Sequence, residues 1–148
     1  MYLDSAIIVK LLVREAGSVW FNRTLQGHAF ESSELALTEV RSAVLAKERA
    51  GHITARERKA AADRFLAMVE HDEFRLFAVS RQVLHRATAI QLACHPHIPL
   101  RTLDALHVAT CDLHHSDACV TTDMRMRAAC EQLGIALIPE RPEDVKSG

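Results

Sequence analysis

Residues 1–12 read MYLDSAIIVKLL, and the join between Leu3 and Ser5 decides the kind of fold. Three residues suited to a short buried strand run into Asp4, after which Ser5 and the apolar run Ala6, Ile7, Ile8, Val9 start a helix. A carboxylate at that join has two explanations. Asp is a good helix N-cap, because its side chain accepts a hydrogen bond from an orphan N–H of the first turn. A parallel sheet would also deliver Asp4 to a crevice at its carboxyl edge, where open α/β folds place their chemistry. Residues 118–129, ACVTTDMRMRAA, repeat the arrangement, with Asp123 between a short β-rich run and a helix.

Working outward from these joins, apolar periodicity and caps alternate strands with helices and show no internal repeat. Strand 1–4 is followed by helices near 5–13 and 17–26 and a strand at 28–31. A helix over 34–50 takes Ser32 or Ser33 as its cap and Gly51 as its stop. Thr54 and Glu57 make a capping box for a helix reaching Glu70. EFRLFAV (73–79) is a strand, Ser80 caps a helix to Ala93, and Thr102 caps a helix over 103–115. A strand at 118–121, a helix at 124–133 and a strand at 135–138 complete the set. Strands separated by helices imply right-handed crossovers and a mainly parallel sheet covered on both faces, an α/β fold.

The 148 residues suit one domain over 1–140, with a polar tail at 141–148 that is expected to fray. Cys94, Cys111, Cys119 and Cys130 lack C-x-x-C spacing, and there is neither a secretory segment nor an apolar run long enough to span a membrane. These features lead us to expect a reduced, soluble, cytoplasmic protein. A net charge of -1 excludes binding of nucleic acid through a general basic field, but permits a local groove.

Two further acids stand where solvated acids do not belong. In SSELALTEVRSAVLAKERAG (32–51), the helical neighbours of Glu39 are Leu35, Ala36, Ser42 and Ala43, so its carboxylate lies in or beside the apolar stripe. In LRTLDALHVATC (100–111), Asp104 sits in a first helical turn beside Leu103, His107 and Val108, where attraction to the helix dipole is the simpler account. Two strand ends and two helices meeting at one sheet edge would gather all four carboxylates in a cleft. Their repulsion calls for something positive among them. All-oxygen ligation points to Mg²⁺ or Mn²⁺. Such a site suits phosphodiester hydrolysis without a side-chain nucleophile.

Asp4 in YLDSAIIVKLLVRE, Glu39 in SSELALTEVRSA, Asp104 in LRTLDALHVATC and Asp123 in VTTDMRMRAACEQLGI resemble the four acidic motifs of PIN-domain ribonucleases, above all the VapC-like toxins of bacterial toxin–antitoxin pairs. The resemblance covers about the whole chain. It implies a three-layer α/β/α fold, Mg²⁺- or Mn²⁺-dependent cleavage of RNA, homodimerisation, and inhibition by a cognate antitoxin lying across the active-site groove. It also implies that Asp4, Glu39, Asp104 and Asp123 are the catalytic and metal-binding residues, and that Thr121 helps arrange the site. Many members carry Ser two positions after the first Asp, where this chain has Ala6.

Around the acids, Ser5 is a neighbouring hydroxyl, His107 lies one turn from Asp104, and Arg101 and Arg125 lie within three residues of Asp104 and Asp123 as candidate phosphate contacts. Met124 and Met126 fit packing better than recognition. Cys94, His95, His97, His114 and His115 lack the spacings of structural zinc sites. A haloacid-dehalogenase-like phosphotransferase needs a second Asp where Ala6 stands, and a receiver domain needs an acidic pair near the start. The competing function is a non-catalytic PIN-like module that binds RNA or protein.

Overall fold

A computed structural model describes residues 1–145. Within them, strands β1 (Tyr2–Leu3), β2 (Phe30–Ser33), β3 (Phe74–Phe77), β4 (Cys119–Val120) and β5 (Leu137–Ile138) form one sheet in the order β3-β2-β1-β4-β5. Every neighbouring pair is parallel. The connecting helices are α1 (Ser5–Leu12), α2 (Ser18–Thr24), α3 (Ala36–Arg49), α4 (Ala55–Glu70), α5 (Arg81–Cys94), α6 (Thr102–Leu113) and α7 (Met124–Leu133).

Successive strand residues point to opposite faces, and this places the layers. Tyr2 pairs with Cys119, and both enter the core built with Val83, Ile90, Ala105 and Cys130 of α5, α6 and α7. Leu3 pairs with Val120, and both enter the opposite core with Ile7, Phe21, Val40 and Phe65 of α1 to α4. The protein is therefore a three-layer α/β/α sandwich. From β1 the chain winds outward to β2 and β3, then returns over the other face to β4 and β5. The winding direction reverses between β1 and β4, which makes their carboxyl ends the topological switch point where open sheets leave a crevice.

Local chemistry sets most element ends. Thr54 and Glu57 form the expected capping box, with the Thr54 N–H donating to Glu57 Oε2 at 2.7 Å and the Glu57 N–H to Thr54 Oγ1 at 3.2 Å. Ser80 caps α5 as expected. Of the two expected caps, Ser33 accepts the Leu35 N–H at 3.3 Å and closes the turn that leads into α3, while Ser32 does not cap; both residues also belong to β2. Ser33 pairs with Phe77, the Ser32 hydroxyl donates to the Leu3 carbonyl at 2.8 Å, and α3 starts from Leu35 without a side-chain cap. Strand β2 thus lies two residues beyond its expected place. Thr102 is the first residue of α6 rather than its cap, which is Arg101.

The chain after Pro139 does not simply fray. Pro142–Asp144 form a 3-10 turn, Asp144 bonds the Arg141 N–H at 3.1 Å, and Val145 packs against the core beside α2. Residues 146–148 of the expected tail lie outside the described residues. No described helix is long and apolar enough to cross a membrane.

Candidate active site

Strands β1 and β4 end side by side, with the Asp4 N–H donating to the Val120 carbonyl at 3.2 Å. Asp4 therefore emerges next to Thr121 and Asp123 at the switch point. Its two explanations from sequence hold together. One carboxylate oxygen, Oδ1, caps α1 by accepting the Ile7 N–H at 2.8 Å, while Oδ2 accepts the Thr121 hydroxyl. Thr121 Oγ1 in turn accepts the Asp123 N–H at 3.0 Å, so one hydroxyl joins the two strand-end acids.

Asp123 caps α7, with Oδ1 accepting the N–H groups of Arg125 at 2.8 Å and Met126 at 3.1 Å. Its other oxygen lies 3.5 Å from Arg125 Nη2. Asp104, in the first turn of α6, has Oδ2 3.7 Å from Arg125 Nε. Both of those atoms are closed off from solvent and neither has a hydrogen-bond partner. Glu39, in the first turn of α3, is held from two other elements. Its Oε2 accepts the Ser5 hydroxyl at 2.5 Å and pairs with His107 Nε2 at 2.7 Å.

Burial pushes the Asp4 carboxyl above its ordinary pKa, against the pull of the Thr121 hydroxyl, the Ile7 N–H and His107. Burial also raises Asp104, the Asp123 charge adds to the rise, and Arg125 works against both. At Glu39 burial works upward too, but the bonds from His107 and Ser5 outweigh it and hold the group below its ordinary value. Asp4 and Asp104 thus each feel the Asp123 charge, whereas Glu39 is governed by its own donors.

Among the described residues, no three acid, His or Cys side chains stand close enough to hold an ion as they are. The donor chemistry nevertheless fits a hard divalent cation. Every group offered is a carboxylate or hydroxyl oxygen, and Asp104 Oδ2 is a buried acceptor with no partner. The cationic side chain against it is Arg125.

Arg101 is exposed at the cap of α6 and Ala6 is exposed on α1, so neither closes around the acids. Met126 is buried as expected, but Met124 is 63% exposed beside Asp123. Cys94 lies in the core while His95 and His97 face solvent, so those three do not converge.

Two further buried residues of the first and fourth motif segments support the site without being acids. The Tyr2 hydroxyl bonds His107 Nδ1 at 2.7 Å, extending the Ser5–Glu39–His107 chain into the core. The Arg127 guanidinium donates to the carbonyls of Thr121 at 3.2 Å and of Pro139 and Glu140 at 2.8 Å each, fixing the backbone beneath the Thr121 hydroxyl. The spacing of Arg127, four residues after Asp123, put it on the inner face of α7 and was its only sequence signal.

Comparison with known proteins agrees with this architecture. The family model described as PIN domain matches residues 1–132. The chain is 38% identical over 143 residues to Ribonuclease VapC46 of Mycobacterium tuberculosis (strain ATCC 25618 / H37Rv), an alignment covering 93% of this chain and 95% of that protein. A chain from a toxin-antitoxin complex of Klebsiella pneumoniae superposes with a TM-score of 0.56 at 15% identity, over 86% of this chain and 89% of that one, which speaks to the fold alone. With the acids at the strand ends and these matches running along nearly its whole length, the chain belongs to the PIN-domain family, among its VapC-like members.

Proposed function

We propose that the protein is an endoribonuclease that cleaves RNA phosphodiester bonds and serves as the toxin of a toxin–antitoxin pair. The observation that carries this reading is the grouping of Asp4, Asp104 and Asp123 at the switch point, with Asp104 Oδ2 buried and unpartnered. An idle cluster would keep its mutual repulsion without return. The 38% identity to a protein named a ribonuclease supports the same substrate class.

Asp4, Asp104, Asp123 and Glu39 would hold Mg²⁺ or Mn²⁺. When bound, that cation supplies Lewis-acid activation of the attacking water and neutralises charge on the scissile phosphate. The chain's own residues set the geometry. Thr121 fixes the Asp4 carboxylate through one oxygen and the Asp123 backbone through its N–H, so the two strand-end acids keep a constant separation. Ser5 and His107 both orient Glu39 through Oε2, so Oε1 is the oxygen that would be offered to the cation. Arg101, exposed at the cap of α6 with its charge acting on Asp104, would serve as a phosphate contact.

The partners that follow are RNA, an antitoxin that covers the groove, and a second copy of the chain in a homodimer; the compartment is the cytoplasm. The test is cleavage of single-stranded or looped RNA by purified protein. Cleavage is expected with Mg²⁺ or Mn²⁺ and none in excess EDTA. Equal cutting in chelator, or no cutting with any metal, would overturn the metal-nuclease reading. Expression of the chain should slow bacterial growth, and coexpression of the adjacent small gene should relieve it.

A further inference from the structure

Arg125 occupies the place of a cation between two carboxylates without bonding either of them well. Its contacts to Asp104 Oδ2 at 3.7 Å and Asp123 Oδ2 at 3.5 Å exceed the length of a good N–H···O bond. The Nε and Asp104 Oδ2 atoms have nevertheless lost their water. Opposite charges held close, with one pair of atoms dry and unbonded and the other joined only by a long bond, forfeit solvation without the full return of a bidentate pair. A purely structural arginine would close the fork on one carboxylate, as its geometry permits. Arg127, three carbonyls in its grasp on the same helix, shows that contrast.

The arrangement is also easily undone. Asp123 stays fixed through Oδ1 to the N–H groups of α7 whether or not Arg125 is present. The Arg125 side chain is 32% exposed, so it can turn outward without opening the core.

We infer that Arg125 is a resident counter-cation for Asp104 and Asp123 in the metal-free protein, that a divalent cation displaces it, and that the freed guanidinium then binds the phosphate backbone of the RNA. This deepens, and rests on, the metal-nuclease reading. Guanidinium and divalent cation use the same Asp104 oxygen, so each lowers the affinity of the site for the other. Once the carboxylates are taken, the like charge drives the guanidinium away from them. A phosphodiester presents the two acceptors that its fork prefers.

The experiment is calorimetric titration of the metal-free full chain with MnCl₂, for wild type, Arg125→Gln and Arg101→Gln. Gln keeps helix propensity, so α7 is retained. Arg101 is the control, because its charge also acts on Asp104 although its side chain makes no ion pair there. Arg125→Gln should bind Mn²⁺ about tenfold more tightly than wild type, and Arg101→Gln should differ from wild type by roughly threefold or less. In saturating Mn²⁺, anisotropy of a labelled 2′-O-methyl oligoribonucleotide should show Arg125→Gln binding about tenfold more weakly.

Mn²⁺ affinity equal to or below wild type in Arg125→Gln overturns the displacement, as do equal gains in both variants, since a contact would then count for no more than a distant charge. Unchanged oligonucleotide affinity overturns the phosphate role. Absence of Mn²⁺ binding in all three proteins removes the metal-nuclease reading itself, and the inference with it.

Discussion

The Tyr2 hydroxyl lies 2.7 Å from His107 Nδ1, and His107 Nε2 lies 2.7 Å from the Glu39 carboxylate. Both ring nitrogens of His107 are thus engaged, and the Tyr2 hydroxyl fixes the ring so that Nε2 stays aimed at Glu39. The edge-to-face contact between the two rings, with centroids 5.9 Å apart, limits rotation about that axis. Tyr2 is fully buried, so replacing it by Phe keeps the packing and removes only the hydroxyl. Tyr2→Phe should lower stability by about 1–2 kcal/mol, the cost of a buried ring nitrogen left unpaired. Urea denaturation should report it as a lower midpoint at unchanged slope. The loosened His107 should also reduce RNA cleavage. A variant as stable and as active as wild type would show that His107 needs no support from the core.

At the scale of elements, the joins between helices carry unequal loads. Gly17, which starts α2, and Gly51, which follows α3, both have positive φ, at 84° and 73°. A Cβ at Gly51 would meet nothing within 4 Å, whereas at Gly17 it would lie 2.8 Å from Val145 Cγ1. Gly51→Ala should therefore cost about 1 kcal/mol from the left-handed backbone alone, and Gly17→Ala about 2 kcal/mol, since Val145 must also move. Thermal melts that rank the two in reverse would show that the segment ending at Val145 gives way freely. The elements legible in the sequence were those with local causes. The switch from strand to helix at Asp4 and Asp123 and the box at Thr54 needed no distant partner. Strand β2 was misplaced because Ser32 and Ser33 read as caps, and although Ser33 does accept the Leu35 N–H, only Leu3 and Phe77 beside them show that both residues also extend the strand. Glu39 stood out as an acid in an apolar stripe, but Tyr2 did not, since the residue that gives its hydroxyl a role lies 105 positions away.

For the molecule as a whole, the acids set opposing dependences on pH and on metal. Asp4 and Asp104 have folded-state pKa values above their unfolded ones, so the folded state binds protons more readily than the unfolded chain. Their contribution is fully present below the unfolded value, about 3.9, and is lost as pH rises through the raised folded values. Glu39, held low, acts the other way, and its contribution is lost as pH falls through its lowered value. In EDTA near neutral pH, burial and Asp123 thus work against the charged form of Asp104. Asp104→Asn should melt at or above the wild-type temperature there, although weaker attraction to the α6 terminus and to Arg125 opposes the gain. Mn²⁺ should reverse the order. Binding only the folded state at one hundred times Kd, it would stabilise the wild type by about 2.7 kcal/mol, and the Asn variant by less. RNA cleavage by Asp104→Asn should fall by about two orders of magnitude or more. A large loss of stability in EDTA for Asp104→Asn, with no rise in the wild-type melting temperature on adding Mn²⁺, would mean that Asp104 serves only the helix terminus, and the acids at the switch point would then not form a shared cation site.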